Sequence, residues 1–317
     1  MLIAEFLKIW KKRSVKIILF CVMICTILYG GIECAVGENA TIENWRQEAQ
    51  KNLDNKEKEL SKMLEKEGDS QEDIDFWNEI YGEDIAVYKY ALEHDIPVGV
   101  GSAWSSVYNS TVLINLITIF MLAIAIGNII NEYTYGTIKL ALTNSHKRSY
   151  VLFTKKLSLT LFTMLLFAVQ FISSFLVGLI CFRSGYGRTL QYQDGVVVEV
   201  NMITSVMLTY MIRFMLTLIL TWVAMGIAII FKNTAVSILG TLFIWLGDLI
   251  LGGFLGEKSW YPYTPFPNLK TSIYVNNGTL CSVNKTMLQS FGVLMFYLVV
   301  FTFITRWFFC KKDVTNM

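Results

Sequence analysis

The sequence lacks the motifs on which many familiar enzyme classes depend. It contains no H-E-x-x-H metalloprotease motif, no G-x-S-x-G nucleophile elbow and no G-x-x-x-x-G-K-[ST] phosphate-binding loop. The stretch GGFLGEKS at 252–259 approaches the phosphate loop, but it has no Gly-Lys pair. We therefore expect that the chain is not an enzyme and does not hydrolyse ATP by the P-loop route.

Metal ligands are also scarce. The only two histidines, His94 and His146, stand alone, and none of the six cysteines has the spacing of a zinc site. The cysteines fit either free thiols, which we favour, or one disulfide among Cys34, Cys181 and Cys281. We expect no metal and no cofactor bound by this chain.

Charge is missing from long stretches of the sequence. The chain of 317 residues is 54% hydrophobic, with a mean hydropathy of +0.48. The apolar residues form six runs of about 20 residues or more, enough to cross about 30 Å of hydrocarbon. A backbone in lipid must satisfy its own hydrogen bonds, so the runs should be helices. The sequence predicts an all-α polytopic membrane protein with spans at 17–36, 110–130, 157–182, 202–231, 234–256 and 287–305.

The basic residues indicate how these spans are oriented. Segments 1–16, 131–156, 232–233 and 306–317 hold 5, 5, 1 and 3 Lys/Arg, whereas the outer loops 183–201 and 257–286 hold 2 and 3. Cytoplasmic loops carry the excess of Lys and Arg, so both termini are predicted to be cytoplasmic.

The segment 37–109 is the one sizeable soluble part of the chain, and it is predicted to be extracellular. It has 17 Asp/Glu and 7 Lys/Arg, a difference of −10. Helical spacing predicts two helices, at about 41–66 and 71–94. The resulting hairpin either packs on the outer ends of the spans or captures or shields a substrate outside the membrane.

Two charges fall inside predicted spans. Taking 1.5 Å per residue, Arg213 lies about 15 Å and Asp248 about 12 Å from the outer ends of spans four and five. A charge within the bilayer is costly and faces the bundle or a water-filled cavity. Two interpretations remain open: Arg213 and Asp248 form an ion pair that fixes the two spans together, or they line a translocation path.

The short basic segment 131–156, NEYTYGTIKLALTNSHKRSYVLFTKK, lies between spans two and three. It resembles the cytoplasmic loop of permease subunits of ABC transporters of the type-2 exporter class, in which an acidic residue closes span two and a Gly-Thr pair follows. The matching positions are Glu132, Gly136–Thr137, an apolar turn at 138–142, Lys147–Arg148 and Lys155–Lys156. The opening segment 1–16, with LIAEFLKIWKKRSVK, also resembles the N-terminal cytoplasmic amphipathic helix of that family. Leu2, Phe6 and Ile9 would share one face of this helix, which would lie in the inner membrane interface.

This resemblance implies a function and a set of partners. Segment 131–156 would be the coupling helix that docks on a separate cytoplasmic ATPase, which would bind ATP and Mg²⁺. Tyr133, Thr137 and Leu140 at i, i+4 and i+7 are predicted to share the face that enters a groove on that ATPase, and Glu132 to accept hydrogen bonds from it. Two ATPase subunits and a second permease subunit, identical or different, would complete an exporter in the bacterial plasma membrane. Its substrate would be amphipathic or peptide-like, as in antibiotic-peptide export and self-immunity.

Two other interpretations fit the same residues. Segment 131–156 could be an ordinary basic loop that only fixes the topology. The chain could instead be a membrane sensor or receptor that binds a ligand with its acidic extracellular lobe.

Overall fold

The computed structural model describes residues 1–36, 44–67, 71–98, 100–137, 147–182, 188–193, 196–256, 258–271, 275–276, 279–280 and 285–311. The chain is an all-α polytopic membrane protein, which confirms the predicted fold class. The helices within the described residues are α1 Leu2–Trp10, α2 Arg13–Val36, α3 Trp45–Glu67, α4 Gln71–His94, α5 Ala103–Asn109, α6 Ile114–Thr134, α7 Arg148–Phe182, α8 Met202–Phe231, α9 Thr234–Leu255, α10 Pro265–Asn268 and α11 Lys285–Lys311.

Six of these segments are long and apolar enough to cross a membrane. They are Arg13–Ala35, Ala103–Thr134, Arg148–Phe182, Met202–Phe231, Thr234–Leu255 and Leu288–Cys310. The second span joins α5 and α6 through the 3₁₀ turn Ser110–Leu113. The third span begins at Arg148 rather than at residue 157, so half of the segment interpreted as a loop is helix α7 or the end of α6.

The helices α6 and α8 form the centre of the bundle. In the most apolar stretch of the spans that contain α6 and α8, 56% of the residues are buried. The corresponding share is 17% for α9 and for α11. Ile117 and Met121 of α6 and Ala224 and Met225 of α8 are fully inaccessible. The outer helices expose apolar side chains such as Phe254. Lipid tails are as apolar as these side chains, so this exposure is compatible with a membrane.

The segment between the first two spans is a helical hairpin of α3 and α4. Ion pairs among the described residues join α3 to α4 and to Asp95 just after it, in antiparallel order: Arg46–Asp95 at 2.7 Å, Lys56–Asp84 at 2.9 Å and Lys89–Glu57 at 2.8 Å. Exposed pairs of this kind contribute about 0–1 kcal/mol each, so they align the helices more than they stabilise them.

This lobe packs on a β-hairpin that the sequence did not predict. Strands β1 Arg188–Gln193 and β2 Val196–Asn201 pair antiparallel between the third and fourth spans. Leu190 of β1 is buried with Trp45, Ala49 and Ala91 of the lobe in one small apolar cluster. The lobe is thereby attached to the loop between spans three and four.

The five cysteines within the described residues are free thiols, Cys21, Cys25, Cys34, Cys181 and Cys310. Cys34 of α2 and Cys181 of α7 lie in hydrogen-bonding contact. Cys281, the third candidate for a disulfide, lies outside the described residues.

Gly178 allows α7 to approach α5 closely. A Cβ atom at this position would lie 2.8 Å from Ala103 Cα and 3.0 Å from the Ala103 carbonyl oxygen. Both are backbone atoms, which cannot rotate away as a flexible side chain can. Contact of this kind between small residues is a common way in which helices associate in lipid.

We therefore expect Gly178→Ala to force α5 and α7 apart and to destabilise the protein by about 1–3 kcal/mol. The matched control is Gly127→Ala in α6, where an added Cβ would meet nothing within 4 Å. Thermal aggregation of the detergent-solubilised variants, followed by size-exclusion chromatography, measures the difference. Equal melting of both variants would contradict close α5–α7 packing.

Candidate functional site

A chain of alternating charges lies where α1, α6 and α7 meet. Lys155 of α7 is fully buried; its Nζ lies 3.0 Å from Glu5 Oε2 of α1 and also donates to Glu132 Oε1 of α6. Lys8 Nζ of α1 donates to the same Glu132 oxygen. We call Glu5, Lys8, Glu132 and Lys155 the charge network. It connects three segments that are far apart in the sequence.

The charge network is expensive to build and expensive to break. Removing an ion from water costs several kcal/mol, and the attraction of its partner offsets this cost only when the geometry is good. Lys155 has a carboxylate on each side, and Glu132 has two ammonium groups on one oxygen. The other oxygen, Glu132 Oε2, is buried without a hydrogen-bond partner among the described residues. Loss of Lys155 would leave Glu5 without its cation and Glu132 with only the partly exposed Lys8.

Helix α1 is docked on the bundle by apolar contacts as well. Ile9 is fully buried, and the Phe6 ring lies 6.3 Å from the Phe162 ring of α7. Ile3 and Leu7, on the opposite side, are exposed. Helix α1 therefore has one face on α7 and a second apolar face turned outward. Burial lowers the pKa of the Lys12 ammonium just beyond α1, and the charge of Lys8 lowers it further, whereas Glu132 acts in the opposite direction.

Further contacts fasten this end of the bundle, where α1 and the end of α11 lie. Arg148 Nη1, at the start of α7, donates to the Cys310 carbonyl of α11 over 3.0 Å. Lys156 Nζ donates to Thr302 Oγ1 over 3.1 Å and lies 5.1 Å from the Trp222 ring of α8. The start of α7, which follows segment 138–146, is thus held to α8 and α11.

The predicted coupling residues differ in how far they are exposed at the surface. Glu132 is 2% exposed and belongs to the charge network, so it does not face a partner protein directly. Tyr133 is half-buried, packs on the core and lies 5.0 Å from Lys232 Nζ of the α8 end. Gly136 and Thr137 are exposed. Leu140 lies outside the described residues.

We predicted that Tyr133, Thr137 and Leu140 share one helical face. This prediction is wrong for Tyr133. Helix α6 ends at Thr134, and Gly136 has a φ of +66°. This left-handed conformation favours glycine, and it interrupts the helix between Tyr133 and Thr137. A continuous i, i+4 relation across it does not exist.

The predicted ion pair between Arg213 and Asp248 is also wrong. Asp248 Oδ2 lies 2.5 Å from Lys270 Nζ, and Asp248 Oδ1 accepts from Tyr261 Oη over 2.6 Å. Arg213 Nη1 donates instead to the Thr111 carbonyl over 3.2 Å. Similar depth on neighbouring helices did not reveal that the loop after α9 folds back onto Asp248. Burial, assisted by Asp248, raises the pKa of the Tyr261 hydroxyl to about 12.

Sequence reasoning missed Lys8 and Lys155 as the partners of Glu132, and it missed Glu5 as the second acid that binds Lys155. Glu5 is the one acid in an otherwise basic and apolar segment, 1–16, and it is one helical turn from Ile9. A lone acid at a buried position of an amphipathic helix is the signal that could have identified it.

These features define a class: a six-span, all-α membrane protein whose N-terminal helix is joined to the bundle by buried charges. The chain belongs to the family described as "Protein of unknown function (DUF2705)", whose model matches residues 77–315. It is 29% identical over 319 residues to the Bacillus subtilis (strain 168) "Uncharacterized protein YhcI", an alignment that covers 98% of each chain. It is 25% identical over 208 residues to the "Uncharacterized membrane protein YdbK" of the same organism, covering 64% of this chain and 78% of that protein. No solved structure matches.

We expect Lys155→Met to destabilise the protein by about 3–5 kcal/mol, because Glu5 and Glu132 would lose the cation between them. Lys8→Met is the matched control and should cost less, since the Lys8 side chain is 42% exposed. Combining Lys155→Met with Glu132→Gln should recover part of the loss, with a coupling energy of about 0.5–3 kcal/mol. Denaturation in detergent is measured for the unaltered protein, for the three single variants Lys155→Met, Glu132→Gln and Lys8→Met, and for the double variant. Strictly additive effects would show that the buried pair does not interact.

A second double-mutant cycle tests the outer charges. Asp248→Asn and Lys270→Met should be strongly non-additive, because each removes the partner of the other. Asp248→Asn and Arg213→Gln should add within about 0.3–0.5 kcal/mol, as for residues without shared partners. The readout is unfolding of the purified protein together with membrane yield. Non-additive effects of the Asp248 and Arg213 substitutions, with additive effects of the Asp248 and Lys270 substitutions, would support the Arg213–Asp248 ion pair instead.

Proposed function

We propose that this chain is the membrane-spanning permease subunit of an ATP-driven ABC exporter that works with a separate ATPase subunit. The observation that carries the proposal is the charge network around Glu132. The resemblance in segment 131–156 marks Glu132 as the acidic residue that closes the second span, and it is the residue to which α1 and α7 are bound by buried ion pairs. The described residues of 131–156 are thus attached to three helices at once.

This arrangement supports the transmission of force. A protein that binds the segment between α6 and α7 would pull on both helix ends together, because Glu132 and Lys155 join them directly. Helix α6 is a central element of the bundle, so its displacement would reach the core. Glu132 acts as an anchor inside the permease, and Gly136, Thr137 and the segment that follows form the surface that meets the ATPase.

Other parts of the proposal follow from the same assignment. The partner ATPase, in two copies, would bind ATP and Mg²⁺. A second permease subunit, identical or different, would share the translocation path, because six helices are too few to enclose a large amphipathic solute. The exposed apolar faces of α9 and α11 are compatible with such a neighbour. The substrate would be amphipathic or peptide-like, including antimicrobial peptides, and Arg213 would lie beside its path.

The basic ends of the spans support a cytoplasmic position for both termini. The two relatives named above come from a bacterium, Bacillus subtilis. We therefore assign the exporter to the bacterial plasma membrane, with the α3–α4 lobe outside.

The proposal predicts that a P-loop ATPase from the same bacterium copurifies with the full-length chain and that its activity depends on segment 131–156. Gly136→Leu should detach or uncouple this ATPase, because a side chain is strained at a φ of +66° and would reshape the surface. The control is Gly253→Leu, at an exposed position of α9 where an added Cβ atom would meet nothing within 4 Å. Both variants should insert normally. The measurements are ATPase activity and quantitative mass spectrometry of the purified complex, whose mass also reports the number of permease subunits.

Two results would contradict this function. Equal ATPase recovery and activity in Gly136→Leu and the unaltered chain would remove the coupling assignment. Copurification of a histidine kinase in place of an ATPase would favour the membrane sensor.

A further inference from the structure

A small cavity lies between α6, α8 and α9, about 16 Å along α8 from Met202 at 1.5 Å per residue. Its volume is about 30 Å³, room for one or two water molecules or for an atom group of that size. The polar and aromatic side chains that line it are Asn115, Thr118, Arg213, Thr217, Trp245 and Thr271. Carboxylates are absent from this lining.

Arg213 brings to the cavity a positive charge that has no acidic partner among the described residues. Its Nη1 group donates to the Thr111 carbonyl, and its Nε is buried without a hydrogen-bond partner among the described residues. The acid on the neighbouring helix, Asp248, is already engaged by Lys270 and Tyr261. Arginine keeps its proton, and a charge that is partly buried inside a membrane span needs compensation, so this geometry favours an anion.

The other polar groups of the cavity fit that requirement. The hydroxyls of Thr118 and Thr217 are bonded to each other over 2.9 Å, and Thr118 donates to the Ile114 carbonyl over 3.0 Å. They therefore form a satisfied polar wall. Asn115, an exposed residue at the edge of the bundle, also lines the cavity, and its side-chain amide can donate to an anion beside Arg213.

The segment after α9 covers the cavity on one side through Leu269 and Thr271. This cover is fastened by Lys270 to Asp248 and internally by Asn268, whose Nδ2 donates to the Pro262 carbonyl over 2.8 Å. The cover and the small volume exclude a whole lipid headgroup, and they leave room for a single halide ion or one carboxylate group.

We propose that Arg213 and Asn115 form a binding site for a small anionic group, a halide ion or a carboxylate, beneath the cover formed by Leu269 and Thr271. The site is independent of any ATPase. Only the identification of a carboxylate with the end of a transported peptide rests on the exporter function proposed above.

Iodide is a suitable probe because it is a halide and quenches tryptophan fluorescence on contact, and Trp245 lines the cavity. The full-length protein in phosphatidylcholine nanodiscs is titrated with iodide, with sulfate holding the ionic strength constant. We expect a saturable component of quenching. Arg213→Gln should weaken it by about tenfold or more, as for loss of one charge-assisted hydrogen bond, and Asn115→Leu should weaken it less. Arg148→Gln, which removes an arginine at the opposite end of the bundle, should leave it unchanged.

Trp245→Phe provides a second criterion that does not depend on changing the charge. This variant should lose the saturable quenching, because the reporter beside the ion is gone. Purely linear quenching that is the same in Arg213→Gln and the unaltered protein would overturn the site. A saturable component that persists in Trp245→Phe would also overturn it, since the ion would then bind elsewhere.

Competition distinguishes the two sources of the anion. N-acetyl-leucine and its uncharged amide are compared with chloride as competitors of iodide. Competition by N-acetyl-leucine but not by the amide supports a carboxylate site, whereas competition by chloride alone supports a halide site. Competition by the amide as strongly as by the acid would show that charge is not recognised and would contradict the proposal. Failure of the ATPase to copurify would leave all of these results unaffected.

Discussion

The buried ammonium of Lys155, held between Glu5 and Glu132, is the interaction on which one end of this membrane protein depends. Neither carboxylate can lie in an apolar bundle without a cation, and the cation cannot lie there without them. The three partners come from α1, α6 and α7, so their mutual requirement fixes the positions of three helices. Apolar packing in lipid cannot do this alone, because helix surfaces and lipid tails are equally apolar.

The opposite end of the bundle uses the same principle with different partners. Asp248 holds Lys270 and Tyr261, both in the segment that follows α9. The acid therefore folds a loop back over the bundle and does not join two spans. Arg213, left without an acid among the described residues, binds the Thr111 carbonyl in the 3₁₀ turn Ser110–Leu113. One charge is compensated within the chain, and the other is available to an external anion.

The sequence was sufficient to predict the features that follow from composition and from the spacing of apolar residues. Uncharged runs of membrane length predicted six spans, and the α4 range 71–94 coincides with the helix Gln71–His94. Which charged side chains contact one another was not predictable in the same way. Depth along a helix says nothing about which direction a side chain points, so Arg213 and Asp248 were matched wrongly. Lys270 belongs to an irregular loop without periodicity, and no local pattern connects it with Asp248. Glu5 and Lys155 are 150 positions apart, and only the docking of α1 reveals their contact.

The two charged ends are connected through α6 and α8. Helix α6 carries Glu132 in the charge network at one end and Asn115 and Thr118 in the Arg213 cavity at the other, a distance of about 25 Å at 1.5 Å per residue. It contains no proline, and its sole glycine, Gly127, leaves the helix uninterrupted. A continuous α-helix of this length moves as one body, whereas the 3₁₀ turn before it is a common position for a bend. A displacement at Glu132 would therefore tilt α6 about Ser110–Leu113 and change the wall of the cavity. An anion at Arg213 would resist that tilt, because Arg213 also donates to the Thr111 carbonyl of the same turn.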